Sequence, residues 1–156
     1  MLDTLKLLKP DGIVEVRSFN SWGVYSGYFK DRDNLIHQVK KYPDETFYIV
    51  MNEIDPACYS REQCEKIIKK PKATTKDSDI TRLNWLLIDV DPIRPSGVSA
   101  TDEEKNCAAN IATQVYEFLK AEGFPTPILA DSGNGIHLLY KIDLPPEDST
   151  LTKDVL

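Results

Sequence analysis

Hydrophobic and polar positions divide the chain into alternating and helical stretches. Between Gly12 and Asn20 (GIVEVRSFN), Ile13, Glu15 and Arg17 alternate with Val14 and Val16, which predicts a strand with one exposed face. Trp22–Phe29 (WGVYSGYF) predicts a second strand, and Asn20-Ser21 supplies the turn of a hairpin. Asp31 is placed to cap a helix in which Leu35, Val39 and Tyr42 recur at helical spacing before Pro43 ends it. Thr46–Met51 (TFYIVM) reads as an apolar strand with Asn52 at its end. Ser60–Lys70 predicts a short helix capped by Ser60, with Gln63 completing a capping box.

The apolar run Trp85–Ile88, inside LNWLLIDVDP (Leu83–Pro92), is too short for a helix and predicts a buried strand. Thr101 and Glu104 form a capping box that opens the best helical pattern of the chain. Ala108, Ile111, Val115, Phe118 and Leu119 share its apolar face and Gly123 stops it. Pro125–Ala130 then predicts a short strand, Asp131–Asn134 a turn, and Ile136–Tyr140 another strand. After Pro145-Pro146, Leu151 and Val155 keep helical spacing up to Leu156, which reads as a helix cut in the middle, hence as part of a longer protein.

A chain of 156 residues suffices for one domain with a real core, and 41% apolar with 28% charged residues is the balance of a soluble globular protein. The net charge of −6 argues against a chain that grips nucleic acid over its whole surface, though not against a local basic path. Lys66, Lys69, Lys70, Lys72 and Lys76 form the one basic cluster, read either as a solvated helix end or as a phosphate-contacting loop. Cys58, Cys64 and Cys107 are odd in number and lack a C-x-x-C pair, which fits reduced thiols in a cytoplasmic protein rather than a disulfide framework or a zinc site. No apolar run approaches the ~18 residues of a membrane span, so no membrane partner is expected. The first ten residues lack a signal-peptide layout.

Two stretches carry candidate chemistry. Asp89 and Asp91 are two apart at a strand end and would project to one face, ~7 Å apart. Bare carboxylates so placed repel each other, and a hard divalent cation compensates them. The plain alternative is a solvated strand end turning on Asp91-Pro92. In ADSGNGIHLLYKI (Ala130–Ile142), Ser132, Gly133, Asn134 and Gly135 form a small polar loop whose backbone N–H groups can cradle an anion. His137 follows, on one face with Leu139 and Lys141, placed to donate to a phosphate. The plain alternative is a hairpin turn feeding a core strand. The loop is neither a Walker A sequence nor a Rossmann fingerprint. A sheet with a helix across one face would bring the two motifs side by side.

LLIDVDPIRPSG followed by ADSGNGIHLLYKIDLP resembles the archaeo-eukaryotic primase superfamily, closest to the prim-pol domains of phages and other mobile elements. The likeness extends through SGYF, YIVMNEIDPA, TTKDSDITR and DLPPED, nearly the whole chain. It implies an α+β, mixed-sheet fold: an N-terminal α/β unit over about residues 1–80 and an RRM-like sheet with helices on one face over about 81–156. It also implies a DNA-replication nucleotidyltransferase that makes or extends primers on a single-stranded DNA template from NTP or dNTP, with Mg²⁺ or Mn²⁺ as cofactor and a helicase domain or protein as a possible associate. Asp89 and Asp91 match the metal-binding motif. Ser132 and His137 match the motif that contacts the triphosphate, with Gly133, Asn134 and Gly135 lining that pocket. Arg82 and Asn52 fall near the site by position alone, and the plain reading of Arg82 is an ion pair with Asp77 or Asp79. The family's third motif, a carboxylate on a later strand, has no match. Asp143, Asp148 and Asp154 lie in a loop and a terminal helix, so the expectation is an active full-length enzyme and an inactive fragment. Two rivals stand beside this reading: a DxD glycosyltransferase using a sugar nucleotide, and a non-catalytic nucleotide or nucleic-acid-binding module. A rolling-circle relaxase is disfavoured because His37 and His137 form no His-x-His pair.

Overall fold

The computed structural model describes residues 2–95 and 97–146, apart from the side chain of Leu2. The expected terminal helix, with Asp148 and Asp154, lies outside the described residues. The fold is α+β, with two antiparallel four-stranded sheets and, among the described residues, three α-helices. The chain forms two compact units, one running to Asn84 and resuming at Leu144, the other spanning Trp85–Asp143. Among the described residues no helix is long and apolar enough to cross a membrane.

In the first unit α1 (Leu2–Leu8) leads into β1 (Val14–Asn20) and β2 (Gly23–Phe29), a hairpin in register from Val14↔Phe29 to Asn20↔Gly23. Its loop is therefore Ser21-Trp22. Helix α2 (Arg32–Val39) starts at Asp31, whose Oδ1 accepts the amides of Asp33 and Asn34 at 2.9 and 3.0 Å. The expected strand at 46–51 contracts to β3 (Tyr48–Ile49), which pairs with β1; β4 (Glu53–Ile54) and β5 (Ile68–Lys69) follow, and β5 pairs with β2. One face of the hairpin packs Val14, Val16, Tyr25 and Phe29 against Leu5 of α1 and Leu35 of α2. The other face carries Ile13 and Tyr28, packed with Ile54 and Cys58.

Because both faces are covered, β1 is not the half-exposed strand that alternation predicts, and Glu15 is completely buried. The charge is tolerated because the carboxylate is fully engaged. Oε1 accepts the Ser26 hydroxyl at 2.6 Å, while Oε2 accepts the Thr75 amide at 3.1 Å and the Arg17 guanidinium at 2.7 Å. Burial pushes the Glu15 carboxyl up, but these hydrogen bonds and the Arg17 charge together hold it below the usual carboxylate range.

The helix expected over Ser60–Lys70 does not form. Pro56–Ser60 makes a 3₁₀ turn instead, and Glu65 and Lys70 take φ of 59° and 51°, which a right-handed helix excludes. Glu65 is drawn out of any helix by tertiary partners. Its Oε1 accepts the Lys30 amide at 2.6 Å and the Tyr59 hydroxyl at 2.9 Å.

The central strand, β6 (Ile80–Val90), is longer than the apolar run. Its first residues pair with β4, Glu53 opposite Arg82 and Ile54 opposite Ile80, and its remainder belongs to the second unit. There α3 (Asp102–Ala121) links β6 to β7 (Ile128–Asp131), and β8 (Ile136–Leu144), a strand that takes in Asp143 rather than leaving it in the expected loop, runs between β6 and β7. This is a split β-α-β arrangement. The Thr101 hydroxyl accepts the Glu104 amide at 3.2 Å, and Glu104 Oε2 accepts the Thr101 amide at 2.8 Å. Gly123, at φ 87°, lies just past the helix end. Ala112 and Leu119 pack on Leu138 and Tyr140, joined by Leu86, Ile88 and Val90. Ile111 and Phe118, expected in that face, stay 51% and 64% exposed. At 3.6 residues per turn they flank the 108–112–115–119 stripe rather than lie in it.

Candidate functional site

Strand alternation builds the site. Leu86, Ile88 and Val90 enter the core under α3, so Trp85, Leu87 and Asp89 lie on the opposite face of β6. In β8, Ile136, Leu138 and Tyr140 enter the same core, which turns His137 to the face of Asp89. The strands are hydrogen-bonded neighbours, and His137 Nε2 stands 3.2 Å from Asp89 Oδ1. Both side chains are partly open to solvent, at 32% and 51%.

Asp91 lies just beyond the end of β6 and meets a different cation. Its Oδ2 is 3.4 Å from Arg94 Nη2, while Arg94 Nη1 donates to the Val98 carbonyl at 2.8 Å. Sequence reasoning missed Arg94. The available signal was its place three residues after an acid in the loop that leaves the strand.

Gly135 is fitted against this strand end. A Cβ at that position would collide with the Val90 carbonyl oxygen and with Oδ1 of Asp91, so no other residue fits without displacing the loop. The segment that follows β7 therefore meets both acids, Asp91 through Gly135 and Asp89 through His137.

The loop between β7 and β8 is internally hydrogen-bonded. Asp131 Oδ1 accepts the Gly133 amide at 2.6 Å, and Ser132 Oγ accepts the amides of Asn134 and Gly135 at 3.3 and 2.9 Å. Gly133 sits at φ 88°. The amides of Gly133, Asn134 and Gly135, expected to face an anion, are thus each bonded to a side chain of the loop itself. An incoming phosphate must take the place of Asp131 or Ser132 to reach them. Asn134 Oδ1 accepts the Ala100 amide at 3.0 Å, which ties the loop to the start of α3.

Asn52 and Arg82 belong to the first unit. Asn52 Oδ1 accepts the Asn84 amide at 2.9 Å and its carbonyl accepts Lys9 Nζ at 2.7 Å. Asp79, one partner considered for Arg82, is held by Arg61 through two 2.6 Å contacts.

Among the described residues no three His, Cys, Asp or Glu side chains converge as a metal site. Two carboxylates nevertheless suit Mg²⁺ or Mn²⁺, because such ions are commonly held by one or two carboxylates and completed by water and substrate phosphates. No family model, curated protein or solved structure matches the chain.

Proposed function

We propose that the chain carries the nucleotide site of a primase-polymerase-type nucleotidyltransferase of the archaeo-eukaryotic primase superfamily, with β6, α3, β7 and β8 as its RRM-like part. The observation that carries this reading is the meeting of the two motifs, His137 on Asp89 and Gly135 on Asp91. Two sequence-distant segments, packed together through the core under α3, bring these polar residues to one solvent-facing strand end.

Asp89 and Asp91 supply hard oxygen donors for Mg²⁺ or Mn²⁺. Such an ion, when bound, neutralises a triphosphate and stabilises the oxygens gaining charge in phosphoryl transfer. His137 Nε2 stands beside Asp89, within reach of a phosphate oxygen that arrives with the ion. Ser132 gives up the loop amides and its bond to the Gly135 carbonyl when its hydroxyl turns to a phosphate, and Gly135 lets the backbone approach where a side chain would block it. Arg94 restrains Asp91 in the free protein and is a second cation for the phosphate chain. No third carboxylate stands with Asp89 and Asp91 among the described residues. The chain by itself is therefore expected to bind nucleotide better than it extends a primer on a single-stranded template.

Titration of a labelled dNTP, with Mn²⁺ present or chelated, tests the proposal. Binding is expected to require the metal and to fall at least tenfold in Asp89→Ala and His137→Ala, about 1.4 kcal/mol. Gly135→Ala should weaken binding as well, by pushing the loop off Asp91. Metal-independent binding unaffected by Asp89→Ala would point to a non-catalytic module, and preference for a UDP-sugar to a glycosyltransferase.

A further inference from the structure

The first unit presents an exposed surface that combines aromatic rings and lysines. Phe19 lies directly opposite Val24 in the hairpin, so the two share a face, the one turned away from α1 and α2. Phe19 is 62% exposed, and its ring centroid is 6.1 Å from that of Tyr48, itself 58% exposed. Trp22, at the hairpin tip, is 74% exposed, with its amide bonded to Asn20 Oδ1 at 2.9 Å. The same unit buries Tyr28 and Phe29 almost completely, so its core does take up aromatic residues. Three rings left in water at one end of one sheet are available to a ligand.

Val24 also lines a groove of about 430 Å³ whose wall is the strap carrying Lys70, Lys72, Thr74 and Lys76. The strap is fastened to the hairpin, since the Lys70 amide donates to the Val24 carbonyl at 2.8 Å. Beyond Thr74 the strap crosses the face that Phe19 and Val24 share, where the Thr75 amide donates to Glu15 Oε2 at 3.1 Å. The rings and the lysines are therefore neighbours on one face, joined through the Phe19–Val24 pair. Asp44 and Glu45 line the opposite side of the Phe19–Tyr48 pair and repel a polyanion there. That leaves the lysine side as its path.

Charge and shape complementarity select the ligand. Lysines along a groove neutralise successive phosphates, and exposed rings offer stacking faces to unpaired bases, which a duplex hides. We infer that Phe19, Trp22 and the Lys70–Lys76 strap bind single-stranded nucleic acid, with bases stacked on the rings and phosphates on the lysines. The surface shares no residue with the Asp89–His137 site and stands whether or not the nucleotidyltransferase reading holds.

The test is fluorescence anisotropy of the full chain with a labelled oligothymidylate and a duplex of equal length. The single strand should bind more tightly and quench Trp22 emission. Phe19→Ala/Trp22→Ala should weaken binding at least about fivefold with an unchanged salt slope. Lys72→Gln/Lys76→Gln should make the log–log salt slope shallower by about 1.4. Metal-dependent dNTP binding should be unaltered in both double variants, so a failure here is distinct from a failure of the nucleotide site. Equal affinity for the duplex, indifference to both double variants, or preference for phosphatidylserine vesicles over the oligonucleotide overturns the inference.

Discussion

At the scale of single residues, Glu15 and Lys9 are charged groups held in the interior of the first unit. Lys9 Nζ donates to the Asn52 carbonyl at 2.7 Å, and burial together with the nearby Arg32 charge brings its ammonium down to about 8, against a smaller upward pull from Glu53. Glu15 is the opposite case, with enough donors to keep it ionised. Its folded-state pKa lies below its unfolded value. The stability it contributes is therefore complete above the unfolded pKa, near ~4.3, and is lost as pH falls through the lower, folded one. Glu15→Gln should cost about 3 kcal/mol at pH 7, because it leaves Arg17 without its buried partner. Urea midpoints measured from pH 7 down to pH 3 should show the gap between wild type and variant closing only at the acid end. A constant gap would mean that shape, not charge, makes the difference. Gly135 illustrates another residue-scale constraint: its missing Cβ admits the Asp91 carboxylate, a requirement that no local pattern announces.

At the scale of elements, local signals succeed where they are self-contained. The capping box of α3 is a four-residue device, and Thr101 and Glu104 form it as their spacing indicates. Thr101→Ala should destabilise the second unit by about 1 kcal/mol, read from its chemical unfolding, whereas Thr101→Ser should recover most of the loss. The segment 60–70 is the counterexample. It carries Ser60 and Gln63 at capping-box spacing, yet Glu65 has more to gain from the Lys30 amide and the Tyr59 hydroxyl than from a marginal short helix. Ile111 and Phe118 make the same point on α3. Their period fits the helix, but they flank the stripe of Ala108, Ala112, Val115 and Leu119 and stay exposed.

At the scale of the whole molecule, two units each have a core of their own, and the cysteines report on them separately. Cys58 is fully buried in the first unit, and burial also pushes its thiol up, while Cys64 and Cys107 are exposed. A thiol reagent added to the native protein should label two of the three cysteines promptly. Labelling of the third should follow the unfolding rate of the first unit, and prompt reaction of all three would contradict the burial of Cys58. The amino-acid order alone determined the hairpin, the caps of α2 and α3, the strand identity of the Asp89 and His137 segments and the tight loop between the last two strands. Each depends on residues near one another in the chain, where alternation, capping and glycine act directly. Tertiary structure decided that β1 is buried on both faces, that Glu65 serves the Lys30 amide and the Tyr59 hydroxyl instead of a helix of its own, that the loop amides close on Asp131 and Ser132, and that Arg94 holds Asp91. Those outcomes are competitions between partners distant in sequence or alternative donors at one acceptor, and only packing sets which partner is within reach.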